Sequence, residues 1–382
     1  MKILITGANG FLGKNLAAAL GCIKKGTDFE NSGIKIDEIY LYGRDDGFDT
    51  LKTFCADCDF IFHFAGVNRA VSREEFFDGN AGFARELTAV LTEVNNNCPI
   101  VFASSEKAET PDSDYGKSKR EAEEILISYS HNSGAPLMIY RLPHIFGKWC
   151  RENYNSVVAT FCYNTARSLP IDIIEPEKKI SLTYIDDFVA EMLSALRTRV
   201  SGGIFCEVSP VYQVSVGDIA GTVRGFAENI SSLKNLSDIS SDFEKKLFST
   251  YVSYLAPEYV SVPIFQNIDE RGSFTELLRG NISGQISLNM INPGCSKGGH
   301  WHNSKCEIFI PLRGEGIVRQ RKIGDGRIYE TKIDAKNPAA VYILPGYTHS
   351  IENLSSESEL SVLIWANEEY DPSNTDTYKE DV

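Results

Sequence analysis

Residues 6–13, TGANGFLG, set three glycines at intervals of three, straight after the apolar run KILIT and straight before a helical pattern. A chain that leaves a strand and enters a helix in so few residues needs a turn that glycine alone makes cheaply. Gly7 allows the turn, Gly10 lets backbone approach an anion, and Gly13 lets the helix pack on the strand. The helix start adds unpaired N–H groups facing the same point. Thr6, Ala8, Asn9, Phe11 and Leu12 complete the loop. The pattern commits the front of the chain to a parallel α/β sheet and to a dinucleotide pyrophosphate.

The rest of the front half agrees with that start. Strand runs at 38–42, 60–66, 100–104 and 137–142 alternate with helix-period stretches such as GFLGKNLAAAL and NAGFARELTAVLTEV. Buried strands alternating with amphipathic helices specify a doubly wound parallel sheet of Rossmann type. Residues 188–200 and 216–255 read as helices that complete an α-rich lobe. Beyond Pro257 and Pro263 the texture changes to short strands separated by Gly, Asn and Pro, the spacing of an all-β barrel or sandwich. A chain of 382 residues exceeds what one core holds. Two domains are therefore expected, 1–250 and 258–382, ending in a loose polar tail, DPSNTDTYKEDV.

A formal net charge of −14 argues against nucleic acid or an anionic membrane surface as the partner. No apolar stretch reaches the length of a membrane span, and no signal peptide precedes the first strand, so no membrane insertion is expected. Nine cysteines, odd in number and scattered, fit free thiols and a cytoplasmic location. The pair Cys55 and Cys58 lacks the second CxxC that a metal site would need.

Two positions address the cofactor and the chemistry. Arg44 follows the second strand, where an acid would bind the ribose hydroxyls of NAD and an arginine suits the 2′-phosphate of NADPH. NADPH is the expectation, with Asp45 and Asp46 on the other side of the balance. In DYGKSKREAEE, Tyr115 and Lys119 are one helical turn apart and share a face. A lysine beside a phenol lowers its pKa and lets it exchange a proton with a carbonyl or alcohol. Ser105 at the end of the preceding strand would orient the same oxygen, with Ser104 as the alternative.

The last quarter holds a different constellation. GGHWHNSKCE (298–307) and PGYTHSIEN (345–353) carry three of the six histidines. Alternation along a strand puts His300 and His302 on one face. The next strand brings Glu307 alongside, and a later one adds His349. Three imidazoles and a carboxylate suit one divalent first-row ion, zinc by preference.

Residues 1–200 resemble the extended short-chain dehydrogenase/reductases that act on nucleotide sugars. The likeness lies in TGANGFLG, HFAG (63–66), Asn80, the paired serines, YGKSK, RLPHIFG (141–147) and YIDD (184–187). It implies Ser105, Tyr115 and Lys119 as catalytic residues. The cofactor would lie along Gly7–Gly13, Arg44, Ala65, Gly66, Tyr115 and Lys119, and Arg141 would touch the substrate. His144 departs from the asparagine common at its position. The histidine spacings, from Gly294 to Gly314 and from Gly346 to Asn353, resemble the two cupin motifs. DERGSFTEL (269–277) resembles the entry strand of cupin-fold epimerases acting on 4-keto sugars.

The whole chain is similar to bifunctional capsular polysaccharide synthesis enzymes, in which an extended reductase is fused to a cupin. That likeness implies a homodimer acting on a UDP-linked 4-keto-6-deoxy amino sugar. The cupin would epimerise C3 and the reductase would then reduce C4 with NADPH. The product would be a UDP-N-acetyl-6-deoxy-L-talosamine. The other readings are a reductase with a structural cupin, a 4,6-dehydratase using Glu106 and Lys107, and a non-catalytic cofactor sensor.

Overall fold

The computed structural model describes residues 1–27, 33–197, 204–232, 239, 241–257, 260–264, 266–269, 272–275, 284–368, 371 and 373–382. Contacts divide the chain into two compact units. One comprises Met1–Phe146, Asn153–Ser156 and Ile180–Gln213; the other comprises Gly147–Glu152, Val157–Lys179 and Val214–Val382. The expected division at 250–258 follows the change in sequence texture, whereas contacts also group the helices at 216–232 and 242–253 with the β-rich stretch. Texture reports local periodicity and is silent on which neighbour a helix packs against.

In chain order the first elements are β1 (Lys2–Thr6), α1 (Phe11–Lys25), β2 (Glu38–Tyr42), α2 (Phe48–Asp57) and β3 (Phe60–His63). Then come α3 (Arg73–Phe77), a π-helical turn (Asp78–Gly82), α4 (Phe83–Glu93), β4 (Ile100–Ser105), α5 (Asp114–Ser133) and β5 (Leu137–Leu142). Next are β6 (His144–Phe146), α6 (Val157–Thr165), β7 (Lys179–Tyr184), α7 (Ile185–Arg197), β8 (Phe205–Cys206) and β9 (Tyr212–Ser215).

The first unit is built on a six-stranded sheet of order β2-β1-β3-β4-β5-β8, every pair parallel. Its central strands are apolar without alternation because helices cover both faces; all four residues of β3 are buried. Strand order reverses between β1 and β3. Ligands of open α/β sheets bind at such a reversal, outside the carboxyl ends of the strands. At that point the Thr6 hydroxyl meets His63 Nδ1 at 2.8 Å and accepts the Ala65 N–H at 3.3 Å, fastening the ends of β1 and β3 together. Cys55 and Cys58 lie in the core beside α2, and burial pushes the Cys55 thiol up to about 12, which leaves it unreactive.

The second unit adds α8 (Val216–Ser232), α9 (Asp242–Ser253) and β10 (Ser261–Pro263), followed by β11 (Gln266–Asp269) and β12 (Gly272–Thr275). The longer strands come after them: β13 (Gln285–Ile291), β14 (Ser296–Trp301), β15 (Glu307–Arg313) and β16 (Glu315–Lys322). The last are β17 (Ile328–Asp334), β18 (Ala339–Ile343), β19 (Tyr347–Asn353), β20 (Leu360–Ala366) and β21 (Tyr378–Lys379). They form two five-stranded antiparallel sheets, β10-β18-β15-β20-β13 and β17-β16-β19-β14-β21. Among the described residues no hydrogen-bonded ladder joins the two sheets into a closed barrel.

Helices belong to this unit's core. Phe248 of α9 meets Trp365 of β20 edge to face at 6.4 Å, and Ser249 donates to the Ser304 carbonyl. The Trp149 indole lies against Gly346, where an added Cβ would sit 2.9 Å from its ring nitrogen. The tail expected to be loose returns to the sheet: β21 pairs with β14, aligning His300 with Lys379 and Trp301 with Tyr378. The DERGSFTEL segment lies partly outside the described residues, with β12 inside them.

Candidate active site and histidine cluster

The nucleotide loop needs its glycines for the reasons expected. Gly7 has φ +70°, and a Cβ there would lie 2.6 Å from the Ala65 nitrogen; a Cβ on Gly13 would lie 2.4 Å from the Gly7 carbonyl oxygen. Gly10 caps α1 with no side chain of its own, leaving the helix N-terminus open. Asn9 reaches over Gly43 at the end of β2. Arg44 is exposed there, while the Asp46 carboxylate accepts the Gly43 N–H at 2.7 Å. Ala65 and Gly66 lie directly across the strand-order reversal.

Successive residues of β4 face opposite ways, and this separates the two serines. Ser104 turns inward and donates to buried Glu123 at 2.5 Å. Ser105 turns the other way, to the side of the Tyr115 phenol. The Ser105 oxygen accepts the Lys107 N–H at 3.2 Å, so its own proton is free to point at the phenol. Gly116 makes the approach possible: a Cβ there would lie 2.4 Å from the Lys107 carbonyl oxygen. Burial raises the Tyr115 pKa and neighbouring Ser105 works against that rise.

Tyr115, Lys119 and Glu123 form one stripe along α5. Lys119 is 5% exposed; its ammonium donates to the Ala103 carbonyl at 2.6 Å and lies 4.2 Å from the Phe102 ring centroid. Burial pulls its pKa down to about 7, with Glu123 opposing. Glu123 is 1% exposed and takes a two-point contact from Arg141, at 2.8 and 3.1 Å. Arg141, the residue expected to touch substrate, is partly exposed and also lies 4.3 Å from the Phe205 ring. Asn80, on the π-helical turn, exchanges hydrogen bonds with the Val67 backbone at 3.0 and 2.9 Å and donates to Ser118 at 3.0 Å. It thus holds the loop after β3 against α5. π-helical turns often mark functional sites.

In the second unit the three histidines converge. The ring centroids of His300, His302 and His349 are 4.7 to 5.3 Å apart, and a nitrogen from each lies within 4.8 Å of the others. A bulge makes this register: Gly298 and Gly299 have φ +109° and +69°, and Gly298 has no room for a side chain beside the His349 carbonyl. Glu307 comes within 3.6 Å of His302 Nε2 and 3.5 Å of His349 Nε2, long for hydrogen bonds. His302 Nε2 and His349 Nδ1 are buried with no hydrogen-bond partner. Burial, with the other two rings adding, pulls His300 down to about 3 and so keeps its lone pair available. Three converging imidazoles, one with an orphaned nitrogen facing the Glu307 carboxylate, fit a tetrahedral N/O metal site. Among the described residues the three histidines are the one group that could hold a metal ion, and Glu307 stands beside two of them.

Comparison with known proteins places these features. Residues 3–206, over half of the chain, match the family described as "NAD dependent epimerase/dehydratase family". The chain belongs to that family. Residues 267–378 match the "Polysaccharide biosynthesis C-terminal domain". A Pseudomonas aeruginosa relative, UDP-2-acetamido-2,6-beta-L-arabino-hexul-4-ose reductase, is 39% identical over 99% of this chain and 98% of its own. The crystal structure of the capsular polysaccharide assembling protein CapF from Staphylococcus aureus covers all of both chains with 36% identity and a TM-score of 0.65. UDP-glucuronic acid 4-epimerase from Bacillus cereus, in complex with NAD, covers 68% of this chain at 18% identity and a TM-score of 0.55, a likeness of fold.

As a member of the NAD dependent epimerase/dehydratase family, the chain has a nicotinamide cofactor to bind, and the strand-order reversal framed by Gly7, Ala65 and Gly66 is the place the fold provides. No helix among the described residues is long and apolar enough to cross a membrane. Sequence reasoning gave Glu123 no role and passed over the tail beside His302. The signal for Glu123 was its place four residues beyond Lys119 on the stripe.

Proposed function

We propose that this chain is a bifunctional UDP-sugar enzyme of surface polysaccharide synthesis, with residues 1–250 carrying a C4-keto reductase and 258–382, a cupin, carrying a C3 epimerase. The observation that carries the reading is Ser105 beside Tyr115, one helical turn from buried Lys119, in a chain 39% identical over its length to a hexul-4-ose reductase. The substrate is a UDP-2-acetamido-2,6-dideoxy-4-hexulose. Its 4-keto oxygen sits between the Ser105 and Tyr115 hydroxyls. A bound dihydronicotinamide would supply hydride to C4, and Tyr115 gives its proton to the oxygen, so that ketone becomes alcohol and the cofactor would leave oxidised. Lys119 holds the phenolate that remains and positions the nicotinamide ribose.

NADPH is the hydride source. Asp46 is turned back onto the Gly43 N–H, while exposed Arg44 at the end of β2 is placed to meet a 2′-phosphate, with exposed Asp45 beside it.

Epimerisation precedes reduction, because the C4 carbonyl is what makes the C3 proton removable. His300, His302, His349 and Glu307 would hold one divalent ion, zinc by its donor set. Such an ion supplies Lewis acidity toward a sugar oxygen when bound. We take the enzyme to be a cytoplasmic homodimer, the location from its scattered free cysteines and the dimer from the resemblance read in the sequence.

Incubating the keto-sugar in deuterated water without NADPH tests the assignment. Deuterium enters C3, and enters no longer in a folded His300→Ala chain; NADPH is then oxidised one for one with C4 reduction. NADPH oxidation with no C3 exchange would leave a simple reductase with a structural β unit. Turnover instead of a UDP-N-acetylhexosamine that still carries its C6 hydroxyl, with loss of that hydroxyl as water and no net NADPH use, would make the enzyme a dehydratase.

A further inference from the structure

The C-terminal segment has a denser set of contacts with the histidine site than its polar sequence suggests. The Asp376 carboxylate accepts three consecutive backbone N–H groups, those of Asn303, Ser304 and Lys305, at 2.8 to 2.9 Å, and the Ser304 hydroxyl at 3.1 Å. That anchors the turn between His302 and Glu307. The Asp376 backbone lies at φ +41°, a conformation that aspartate tolerates better than most residues but that still needs support. In it the Asp376 carbonyl oxygen lies 2.7 Å from His302 Nδ1. A carbonyl only accepts, so Nδ1 carries the proton and Nε2 keeps its lone pair. Lys305, itself buried, donates to the Thr375 carbonyl at 2.6 Å and to Thr377 Oγ1 at 3.3 Å. Beyond it, β21 covers β14, and Arg321 holds Glu380 at 3.0 Å.

From this geometry we infer that residues 375–380 are a strap that positions the histidine site, with Asp376 fixing both the His302 tautomer and the turn that delivers Glu307. Metal-binding imidazoles generally have their second nitrogen held this way, and losing the holder weakens metal binding about 10- to 100-fold. The inference rests on the metal site proposed for the three histidines and Glu307. Asp376 is a positioning residue: its own carboxylate is spent on backbone N–H groups.

The test uses the full-length chain, stripped of metal and titrated with zinc against a chromogenic chelator, then loaded with cobalt(II) for its visible spectrum. Asp376→Ala is expected to bind zinc about 10- to 100-fold more weakly than wild type and to show altered cobalt bands. Asp376→Asn, which keeps one acceptor oxygen and tolerates the left-handed backbone, is expected to fall between them. Should Asp376→Ala fail to melt cooperatively, Asp376→Asn decides on the same two readouts. Zinc affinity within twofold of wild type and an unchanged cobalt spectrum would overturn the strap's role while leaving the metal site intact. A wild-type chain that binds no metal overturns the metal site itself, and the strap's role falls with it.

Discussion

Ser104 gives its hydroxyl to Glu123 at 2.5 Å, whereas Ser105, one residue later on β4, lies to the side of the Tyr115 phenol. Neighbouring serines therefore do different work. Ser105→Ala is expected to lower kcat for keto-sugar reduction about 10²-fold or more, since it removes a donor aimed at the reacting oxygen. Ser104→Ala is expected to keep kcat within a few-fold and to lose about 1–3 kcal/mol of stability, because buried Glu123 loses a partner. Steady-state kinetics and urea unfolding on both variants check this; the reverse order of kcat losses would move the catalytic role to Ser104.

Lys119 makes stability depend on pH in a defined direction. Its folded pKa, about 7, lies below its ordinary value of 10.5, so burying the charge costs stability. That cost is fully present below about pH 7 and fades as pH rises toward 10.5, where the unfolded chain releases the same proton. Wild type should gain on Lys119→Met between pH 7 and 10 in the cofactor-free protein. Melting both proteins at several pH values reads the difference directly, and a flat difference would place the Lys119 amine in a wetter setting.

Glu123 is buried and meets Arg141 in a two-point contact. Removing one partner strands the other, so Glu123→Gln is expected to cost about 3 kcal/mol in chemical denaturation. Because the same carboxylate faces Lys119 from below, the variant should also shift the alkaline limb of the kcat profile. Loss of stability alone, with an unchanged pH profile, would confine Glu123 to packing.

Cofactor choice hangs on the end of β2. Arg44→Ala is expected to raise KM for NADPH about 10- to 100-fold while barely moving KM for NADH, the scale of one lost charge-assisted contact to phosphate. Equal effects on both cofactors would remove Arg44 from 2′-phosphate recognition.

Metal binding should register as folding stability. At a free zinc concentration 100 times Kd the expected gain is about 2.7 kcal/mol, seen as a rise in Tm. His300→Ala should abolish that rise, and a metal-independent Tm in wild type would contradict the site.

Local signals carried the site further than they carried the packing. The glycine loop, the Tyr115–Lys119 spacing and the His300–His302 pair were legible because each depends on residues close in sequence, with periods of 3.6 or 2, whereas His349 was reached through its motif's likeness to the second cupin motif. The Arg141–Glu123 pair was not legible because Glu123 lies on another element, and no spacing within one segment reveals a pair made between a strand and the helix packed on it. The bulge at Gly298 and Gly299 was hidden for a related reason: alternation assumes a regular strand, and the two left-handed glycines shift the register that aligns His300 with His349. The tail looked loose because its polar side chains are the ones whose hydrogen bonds hold it down.

The interleaving of the two units bears on inheritance. The chain leaves the first unit after Phe146, returns at Asn153, leaves after Ser156, returns at Ile180 and leaves for good after Gln213. A gene broken near codon 257 would separate the two activities on paper. It would also strip the β-rich half of Phe248 against Trp365 and of Trp149 against Gly346. Recombination therefore cannot trade one half for another at a single junction, and a lineage that keeps either activity on this architecture has reason to keep the whole reading frame.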